Sequence, residues 1–483
     1  MNVAESGSTE RALRAALTLA IEYIHQRELN PVGAPASVEE LRRRLLMPLP
    51  LESSDPVAVL HELARSVDGG LARSTGGRFF GWVIGGVTPA SLAADWMTGV
   101  WDQNAGMYEV SPAAAVVEEA CGKWLIELLG LPKESSFALV TGCQMAHVTC
   151  LAAARNSLLS REGWDVERDG LYAAPRLRVI SSSQRHGSIE RALRILGMGS
   201  GSVTDIDVGD DGVLSASALE AALEDNRNAP RNVPTIVLLQ AGDLNTGYFD
   251  DFDELIPIAR KHGAWVHVDG AFGMWAATSK EHSHWVSGIG KADSWATDGH
   301  KWLNVPYDCG YAFVRDRTAH YASLGHKASY LIHSKEARDP IDWTPEYSRR
   351  ARGFATYAAI ASLGREGIGN IVDSCCEHAR TLVDAIGALP GVSILQRPTI
   401  NQGLLRFLDR RPGAAEAEHD AMTDAVTKHI VASGEAFFAC TTWHGMRAMR
   451  ISVSDWNTTS EKVARVVTAV ETALRDVAKN NFR

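Results

Sequence analysis

Short apolar runs alternate with amphipathic stretches along the middle of the chain, from about residue 88 to residue 315. Apolar positions spaced three and four apart indicate helices, whereas short continuous apolar runs between turn residues indicate buried strands. The predicted elements are, in order, helix 187–196, strand 235–239, helix 251–262, and strands 264–268, 294–297 and 311–314. Such alternation predicts βαβ units and a mostly parallel sheet, which together make an α/β fold.

The N-terminal stretch differs from this middle part. Residues 9–29 and 38–47 have helical spacing, and Pro48 and Pro50 then break the pattern. We therefore predict an N-terminal helical arm over residues 1–87.

Towards the C-terminus the rhythm changes again, with interrupted long helices over 352–388 before further short strands. The strands predicted there are 392–395, 404–408, 436–439 and 448–453. The last helix is expected to begin at a capping box formed by Thr458 and Glu461. We therefore predict a large domain over 88–350 and a smaller C-terminal α/β domain over 351–483.

Composition narrows the class of protein. Of 483 residues, 45% are hydrophobic and 22% charged, which is ordinary for a globular protein. The net charge of −10 argues against a nucleic-acid-binding protein, which normally carries a basic face. Seven cysteines without a CxxC pair argue against a disulfide framework or a structural zinc site, and no metal is expected. Because the pattern contains no signal peptide and no membrane span, the expected location is the cytoplasm.

Asp269 directly follows an apolar strand, in the run Trp-Val-His-Val-Asp-Gly-Ala over residues 265–271. In an open α/β sheet, ligands bind outside the carboxyl ends of the strands, where Asp269 is expected to lie. The small residues Gly270 and Ala271 would let a flat ring approach. An aspartate that only caps a turn is an equally good interpretation of this segment by itself.

Lys301 follows another predicted strand and is flanked by His300, Trp302 and Leu303 rather than by other charged residues. A lone lysine is normally a solvated surface charge. A lysine buried beside a cationic or apolar wall instead has a lowered pKa and becomes a nucleophilic amine, as Schiff-base chemistry requires. We expect Lys301 to be a nucleophile of this kind.

Two further segments join a strand to a helix. The first places Gly142, Cys143 and Gln144 before an apolar helix, whose free N–H groups could hold a phosphate. The second places His186 at a strand end, where its ring could stack on a cofactor. A histidine at a helix start is more often a cap or a surface residue.

In their order and spacing these segments resemble one family. The chain is similar to the pyridoxal-dependent decarboxylases of the aromatic-amino-acid and glutamate type (group II), which have the fold-type I, aspartate aminotransferase-like fold. The His-Val-Asp-x-Ala segment and the His-Lys pair are its specific motifs. The likeness extends from residues 78–80 (Arg-Phe-Phe) through 111–113 (Ser-Pro-Ala) to 450–452 (Arg-Ile-Ser). It implies a pyridoxal 5′-phosphate (PLP) cofactor and decarboxylation of an L-amino acid to its amine and CO₂.

The resemblance also implies roles for individual residues. Lys301 would bind the coenzyme covalently, and Asp269 would pair with its pyridine nitrogen and keep that nitrogen protonated, so that the ring accepts electrons. His186 would stack over one ring face, and Ala271 would pack against the other. The residues implied to hold the phosphate are Gly142, Cys143, Gln144, Ser294 and His300.

Tyr330 lies in the run Ser-Tyr-Leu-Ile-His over residues 329–333, which resembles a mobile loop of the aromatic decarboxylases. The resemblance implies that its hydroxyl protonates Cα of the substrate after CO₂ leaves, whereas a phenylalanine there would imply oxidative aldehyde formation. A closing loop would also exclude water. The alternative interpretation is a tyrosine that merely packs at a strand edge.

The substrate is less well defined than the cofactor. The residues implied to line its pocket, partly from the neighbouring subunit of a homodimer with a shared active site, are Phe80, Trp82, Trp101, Asn104, Tyr108 and Arg450. The tryptophans favour an aromatic or apolar side chain, although aromatic residues in such segments more often pack in the core or at an interface.

Some residues depart from the family pattern. Asp243 replaces the first threonine of a Gly-Thr-Thr turn, and Asp298 stands where asparagine is frequent before His-Lys. Residues 143–145 are Cys-Gln-Met where small residues, serine and glutamate are common. These departures indicate a divergent branch and leave the substrate open.

Two alternatives to simple decarboxylation remain from the sequence. One is a C–C lyase or a decarboxylation coupled to oxidative deamination, because PLP enzymes break whichever bond is held perpendicular to the ring. The other is a non-catalytic relative that acts as a binding partner, against which the intact set of Lys301, Asp269, His186 and Tyr330 argues.

Overall fold

A computed structural model describes residues 3–209, 212–225, 233–326 and 337–481. The helices of the described residues are α1 (Val3–Gln26), α2 (Val38–Leu45), α3 (Pro56–Val67), α4 (Pro89–Trp101), α5 (Pro112–Leu128), α6 (Cys143–Arg161), α7 (Val166–Asp169), α8 (Gly187–Ile195), α9 (Ala216–Glu224), α10 (Phe252–Lys261), α11 (Arg317–Leu324), α12 (Gly353–Gly387), α13 (Glu416–Ser433) and α14 (Ser460–Asn481). The strands are β1 (Ser136–Val140), β2 (Arg178–Ser182), β3 (Val203–Ile206), β4 (Thr235–Gln240), β5 (Trp265–Asp269), β6 (Ser294–Asp298), β7 (Gly310–Val314), β8 (Val392–Gln396), β9 (Gln402–Phe407), β10 (Ala439–Trp443) and β11 (Met446–Ser452).

The larger sheet has the strand order β1-β7-β6-β5-β4-β2-β3. Strand β7 runs antiparallel to its neighbours β1 and β6, and the other pairs are parallel. The predicted α/β fold with a mostly parallel sheet is therefore confirmed. Right-handed crossovers through helices are the usual way to join such strands.

Both faces of this sheet are covered, so its central strands are buried throughout. Val266 and Val268 of β5 belong to one hydrophobic core, whereas Trp265 belongs to the core on the opposite face, where α6 and α8 pack. A strand buried on both sides needs apolar residues at successive positions. This is why the sequence shows these strands as continuous apolar runs.

The smaller sheet has the order β10-β11-β9-β8 and is antiparallel. Helices α12 and α13 pack against this sheet, and α14 packs against both helices. The predicted interruption of the long helix is confirmed, because Gly364 inside α12 has a left-handed φ of 63°.

Two details near the C-terminus differ from the prediction. The strand expected at 436–439 is wrong: Phe437 instead pairs with the N-terminal part of the chain, donating to Arg78 O and accepting from Phe80 N. The capping box at Thr458 is also wrong, because its hydroxyl donates to Gly77 O and Thr459 accepts the helix N–H of Lys462. Both residues serve long-range contacts that a local pattern does not reveal.

The N-terminal helices α1, α2 and α3 pack together. Val32, which follows α1, donates to Gly434 O and accepts from Arg73 N, so the segment after the first helix is tied to the C-terminal part. Within the described residues, no helix is long and apolar enough to cross a membrane. The division into parts at residues 87 and 350 stays a prediction.

Candidate active site

Two neighbouring parallel strands, β5 and β6, each end in an aspartate at the same edge of the sheet. Asp269 is the last residue of β5, and Asp298 is the last residue of β6. Lys301 follows Asp298 by three residues, and its side chain is 21% exposed. Ligands of open α/β sheets bind at this edge, so the candidate site lies where the sequence predicted it.

Lys301 forms an ion pair with Asp298, whose carboxylate Oδ2 lies 3.1 Å from Nζ. Burial by itself opposes the lysine charge, but the carboxylates of Asp298 and Asp269 favour it, and the net effect raises the pKa of Lys301. The prediction, made from the flanking sequence, that Lys301 has a lowered pKa is therefore wrong. The cause is Asp298, a buried carboxylate at the position where the family often has an uncharged asparagine.

Asp298 also holds two groups predicted to bind phosphate. Its Oδ1 accepts a hydrogen bond from Cys143 N at 2.6 Å and lies 3.4 Å from His300 Nε2. The His300 ring stacks on Tyr307, with centroids 4.3 Å apart, and its Nδ1 accepts from a backbone N–H at residue 309. The first free N–H of α6 is thus engaged by a carboxylate.

Gly142 precedes α6 with a φ of 148°, in a region that favours glycine. A Cβ there would lie 3.2 Å from the His300 ring. The Gln144 side chain donates to Ser188 O at 3.2 Å. The structure brings Gly142, Cys143 and His300 close to Lys301, and their phosphate-binding roles stay predictions.

Asp269 is buried and surrounded by donors. Its Oδ2 lies 3.5 Å from His147 Nε2, and its Oδ1 accepts from Ala271 N at 3.1 Å. Burial raises the pKa of Asp269, but His147, His186 and Lys301 together hold that pKa below its ordinary range. Asp269 is therefore a carboxylate at neutral pH.

His147 is the site residue that the sequence reading missed. It lies on α6, fully buried, and its Nδ1 contacts His267 of the strand that carries Asp269. Helix α6 packs across β5 and β6, which brings this histidine to the aspartate. The available signal was a histidine four residues after Cys143, one helical turn further along the same predicted helix.

Ser294 does not join the group around Lys301. It is the first residue of β6, at the end opposite Asp298, and is fully buried. Its hydroxyl accepts from Trp265 Nε1 and contacts His267 Nδ1. The prediction that Ser294 holds the phosphate is wrong, because the length of the strand separates it from the other implied phosphate residues.

His186 is the N-cap of α8, where its Nδ1 accepts from Ser188 N at 3.2 Å. The structure therefore supports the cap interpretation. Although the residue as a whole is exposed, partial burial lowers the pKa of its ring, whereas the charge of Asp269 opposes that shift. His186 thus lies within electrostatic reach of Asp269 and Lys301.

The aromatic residues expected in the substrate pocket separate into two groups. Phe80 is fully buried and stacks on Phe438, so the prediction that it faces the substrate is wrong. Trp82 is 54% exposed. It belongs to a segment that passes the lysine closely, because a Cβ at Gly85 would lie 1.8 Å from Lys301 O.

The other expected pocket residues lie in three places. Trp101 is packed edge-on against Phe354, with centroids 4.9 Å apart. Asn104 accepts from Arg349 N, and the backbone N–H of Tyr108 donates to an aspartate at residue 339. These contacts fix local structure and leave the substrate roles untested.

Arg450 lies on β11, buried, and donates to Leu244 O at 3.3 Å. The buried Asp243 favours the charge of Arg450, although burial lowers the pKa of the arginine overall. Asp243 accepts from the backbone N–H groups of Asn245 and Thr246 and so shapes the turn before them. Tyr330 lies outside the described residues.

Among the residues that the structure describes, two groups of side chains could hold a metal ion. The first group is Cys143, His147 and Asp269, whose ligand atoms lie within 4.8 Å of one another. The second group is Glu220, Glu224 and His262.

Residues 39–407 match the family model described as "Pyridoxal-dependent decarboxylase conserved domain". The chain therefore belongs to the pyridoxal-dependent decarboxylases, as its motifs implied. It is 24% identical over 467 residues to an aromatic-L-amino-acid decarboxylase of Bacillus atrophaeus, with 96% of this chain and 95% of the relative covered. It is 30% identical over 352 residues to an acidic amino acid decarboxylase of Homo sapiens, with 72% and 66% covered.

The fold is also that of known decarboxylases. The crystal structure of Oryza sativa TDC with PLP and tryptamine superposes with a TM-score of 0.92 at 22% identity, covering 99% of this chain and 100% of that chain. The fold-type I architecture is thus confirmed. The enzyme is a PLP-dependent carboxy-lyase that acts on an amino acid.

The residues at the strand ends fit PLP. A partly buried amine, Lys301, follows the end of β6, and a buried carboxylate, Asp269, ends the neighbouring β5, without an ion pair between them among the described residues. An aldehyde needs the amine, and a pyridinium needs the carboxylate. The N-terminus of α6, which begins at Cys143, lies at the same edge, and its first N–H donates to Asp298.

Proposed function

We propose that this enzyme decarboxylates an L-amino acid with an aromatic or apolar side chain to the corresponding amine. In this proposal Lys301 binds the coenzyme and Asp269 pairs with its ring nitrogen. The supporting observation is the pair of strand ends, β5 and β6, that presents a buried ionised carboxylate and a partly buried amine at one edge of the sheet.

PLP supplies an electron sink for the negative charge left on Cα when CO₂ departs. The protein's part is to hold and tune that ring. Asp269, kept ionised by His147, would keep the ring nitrogen protonated. His186 and Ala271 would cover the two ring faces, and Gly142, Cys143, Gln144 and His300 would surround the phosphate.

The substrate preference rests on Trp82. This large aromatic side chain is exposed, and its segment lies against the backbone of Lys301. The Trp82 ring stacks on Phe79 and Phe437, and a large exposed aromatic side chain in the segment that passes Lys301 favours an aromatic or apolar substrate side chain over a charged one. Arg450 would face the substrate carboxylate.

Relatives in this family carry different substrate names, one aromatic and one acidic, so a panel of amino acids is the decisive measurement. Purified enzyme with PLP would be incubated with aromatic, aliphatic, acidic and basic L-amino acids. We expect equal amounts of amine and CO₂ from an aromatic or apolar member. Turnover confined to acidic or basic members would contradict the substrate proposal but not the enzyme class.

The same panel separates the reaction types. Tyr330 would deliver a proton to Cα after CO₂ leaves, which yields the amine. CO₂ with aldehyde and ammonia instead of amine would indicate oxidative deamination. Aldehyde without CO₂ would indicate C–C cleavage of the side chain.

We also propose that two copies form a homodimer with a shared active site. Helix α1 exposes Leu13, Leu17 and Ile21 along one face, and α4 exposes Trp96 and other apolar residues nearby. The two helices line a cavity of about 1190 Å³. An exposed apolar surface of this kind usually marks an interface. The cytoplasmic location stays a prediction.

A further inference from the structure

A chain of buried polar side chains leads from Asp269 into the protein, away from Lys301. His147 Nδ1 lies 2.9 Å from His267 Nε2, and His267 Nδ1 lies 2.9 Å from Ser294 Oγ. Ser294 Oγ in turn accepts from Trp265 Nε1 at 2.9 Å. All these side chains are buried, so leaving any one of these polar groups without a hydrogen-bond partner would destabilise the protein.

The direction of the hydrogen bonds follows from Trp265. An indole N–H can only donate, so Ser294 Oγ is the acceptor in that contact. Among the described residues, His267 Nδ1 is the other hydrogen-bond partner of the Ser294 hydroxyl, and the arrangement that gives the hydroxyl hydrogen an acceptor is the one in which Ser294 donates to Nδ1. With Nδ1 as the acceptor, the ring of His267 is neutral and carries its one proton on Nε2.

The same direction continues to the carboxylate. His267 Nε2–H donates to His147 Nδ1, which leaves the proton of His147 on Nε2, the atom 3.5 Å from Asp269 Oδ2. A neutral imidazole with the opposite tautomer would turn a lone pair towards the carboxylate and repel it. The anchored tautomer instead gives Asp269 a donor.

Cys143 completes this arrangement. Its Sγ lies 3.4 Å from His147 Nε2 and 3.9 Å from Asp269 Oδ1. The thiol can therefore accept from the histidine and donate to the other carboxylate oxygen. Every donor in the group then has an acceptor, and each member points towards Asp269.

We propose that Ser294 and His267 are positioning residues that set the tautomer of His147, so that His147 holds Asp269 ionised and oriented towards the ring nitrogen of PLP. This inference rests on the proposed role of Asp269. Neither Ser294 nor His267 touches the coenzyme in this scheme; both act through His147.

The first test is the affinity of the apoprotein for PLP, measured by spectroscopic titration. Ser294→Ala removes the hydroxyl that fixes His267, and we expect about tenfold weaker binding, the usual cost of leaving a buried group unpaired. Ser136→Ala is the matched control: Ser136 Oγ is also buried, and it contacts His320 Nδ1 at 2.7 Å on strand β1. Equal affinities of Ser294→Ala and the wild type would overturn the proposal.

The second test uses the native protein and does not depend on a variant that folds. ¹⁵N spectra of histidine-labelled apoprotein, assigned with His147→Gln and His267→Gln, should show both rings protonated on Nε2. In Ser294→Ala, part of the His147 population should carry its proton on Nδ1. A native His147 protonated on Nδ1 would refute the inference.

Asp269→Asn separates this inference from the function it rests on. If Asp269→Asn binds PLP poorly while Ser294→Ala binds like the wild type, the positioning role fails and the ring partner stands. If Asp269→Asn itself binds PLP like the wild type, the proposed role of Asp269 fails.

Discussion

Lys301 Nζ lies 3.1 Å from a carboxylate oxygen of Asp298, so the proposed nucleophile of this site is held as an ion pair. The ion pair raises the pKa of the amine, and a protonated amine cannot attack an aldehyde. Asp298 thus opposes capture of the coenzyme at low pH while it holds the lysine in place.

We expect Asp298→Asn to lower the pH at which apoprotein captures PLP. Removal of this adjacent carboxylate should lower the pKa of Lys301, because Asp298 favours the charged amine, and the amide oxygen can still accept from Cys143 N. The measurement is the rate of PLP capture against pH. Asp293→Asn, at a partly buried aspartate just before β6, is the control and should leave the midpoint in place. An unshifted midpoint in Asp298→Asn would contradict the role of this ion pair.

Lys301→Ala should abolish turnover and the absorption band of lysine-bound PLP, because no other described amine lies at this strand edge. The measurement pairs an absorption spectrum with a CO₂ assay. Lys261→Ala removes an exposed lysine that contacts Glu220 and should change neither signal. A band that persists in Lys301→Ala would assign the coenzyme to another lysine.

The strands that carry the site were predictable for a physical reason. Strands β4, β5 and β6 are covered on both faces, so their apolar runs mark them without any alternating pattern. Asp269 and Lys301 follow such runs, and a short motif could place both at the carboxyl edge. Helix and strand ends differed from the prediction by a few residues, as hydrogen-bonded ends usually do.

What the sequence could not show depends on contacts between distant segments. His147 reaches Asp269 because α6 crosses the sheet, and the buried position of Ser294 follows from its contacts with Trp265 and His267. The pairing of Phe80 with residue 437 joins segments more than half the chain apart. The sign of the Lys301 pKa shift likewise depends on where the Asp298 carboxylate points. The residues next to Asp298 in the sequence do not determine that orientation.

Asp455 should make stability depend on pH. Burial raises the pKa of this carboxyl from 3.8 to about 6, although the N–H groups of Gly77 and Asn457 partly oppose the shift. A raised folded-state pKa gives a stabilising contribution that is complete below about pH 4 and is lost as the pH rises through about 6. This contribution to the free energy of unfolding is about 3 kcal/mol, because the pKa of Asp455 rises from 3.8 to about 6 on folding.

The test compares Asp455→Asn with the wild type across this range. The variant does not titrate there, so the free energy of unfolding of the wild type should fall relative to the variant between about pH 4 and pH 7. Thermal midpoints at several pH values measure the difference, with the exposed Asp476→Asn as control. A difference that does not change with pH would show that Asp455 titrates near its ordinary value.

Tyr330→Phe should change the products and spare coenzyme binding. Without the hydroxyl proton, the carbon that lost CO₂ can react with dioxygen, giving aldehyde, ammonia and hydrogen peroxide in place of amine. The ratio of amine to aldehyde, with peroxide as a check, is the measurement. Tyr172→Phe, at an exposed tyrosine, serves as control. An unchanged ratio would remove Tyr330 from the proton-transfer step.

Leu17→Arg should dissociate the proposed dimer. Leu17 is 48% exposed in the single chain, between Leu13 and Ile21 on α1. In a two-fold symmetric interface the substitution enters twice, and each copy would bury a charge against the apolar residues of the cavity between α1 and α4. We expect the dissociation constant to rise about 100-fold or more, which corresponds to roughly 1.5 kcal/mol lost per copy.

Sedimentation velocity across a range of protein concentrations measures this directly. Ile195→Arg is the matched control, because Ile195 is an exposed apolar residue like Leu17. It lies on α8, away from α1 and α4 in the sequence. The Ile195→Arg variant should sediment as the wild type does. Because the proposed active site is shared, the Leu17→Arg monomer should also lose activity, and adding protein should restore both dimer and turnover together. A wild-type chain that is fully active as a monomer would contradict the shared site, since it would show that one chain supplies every group the reaction needs.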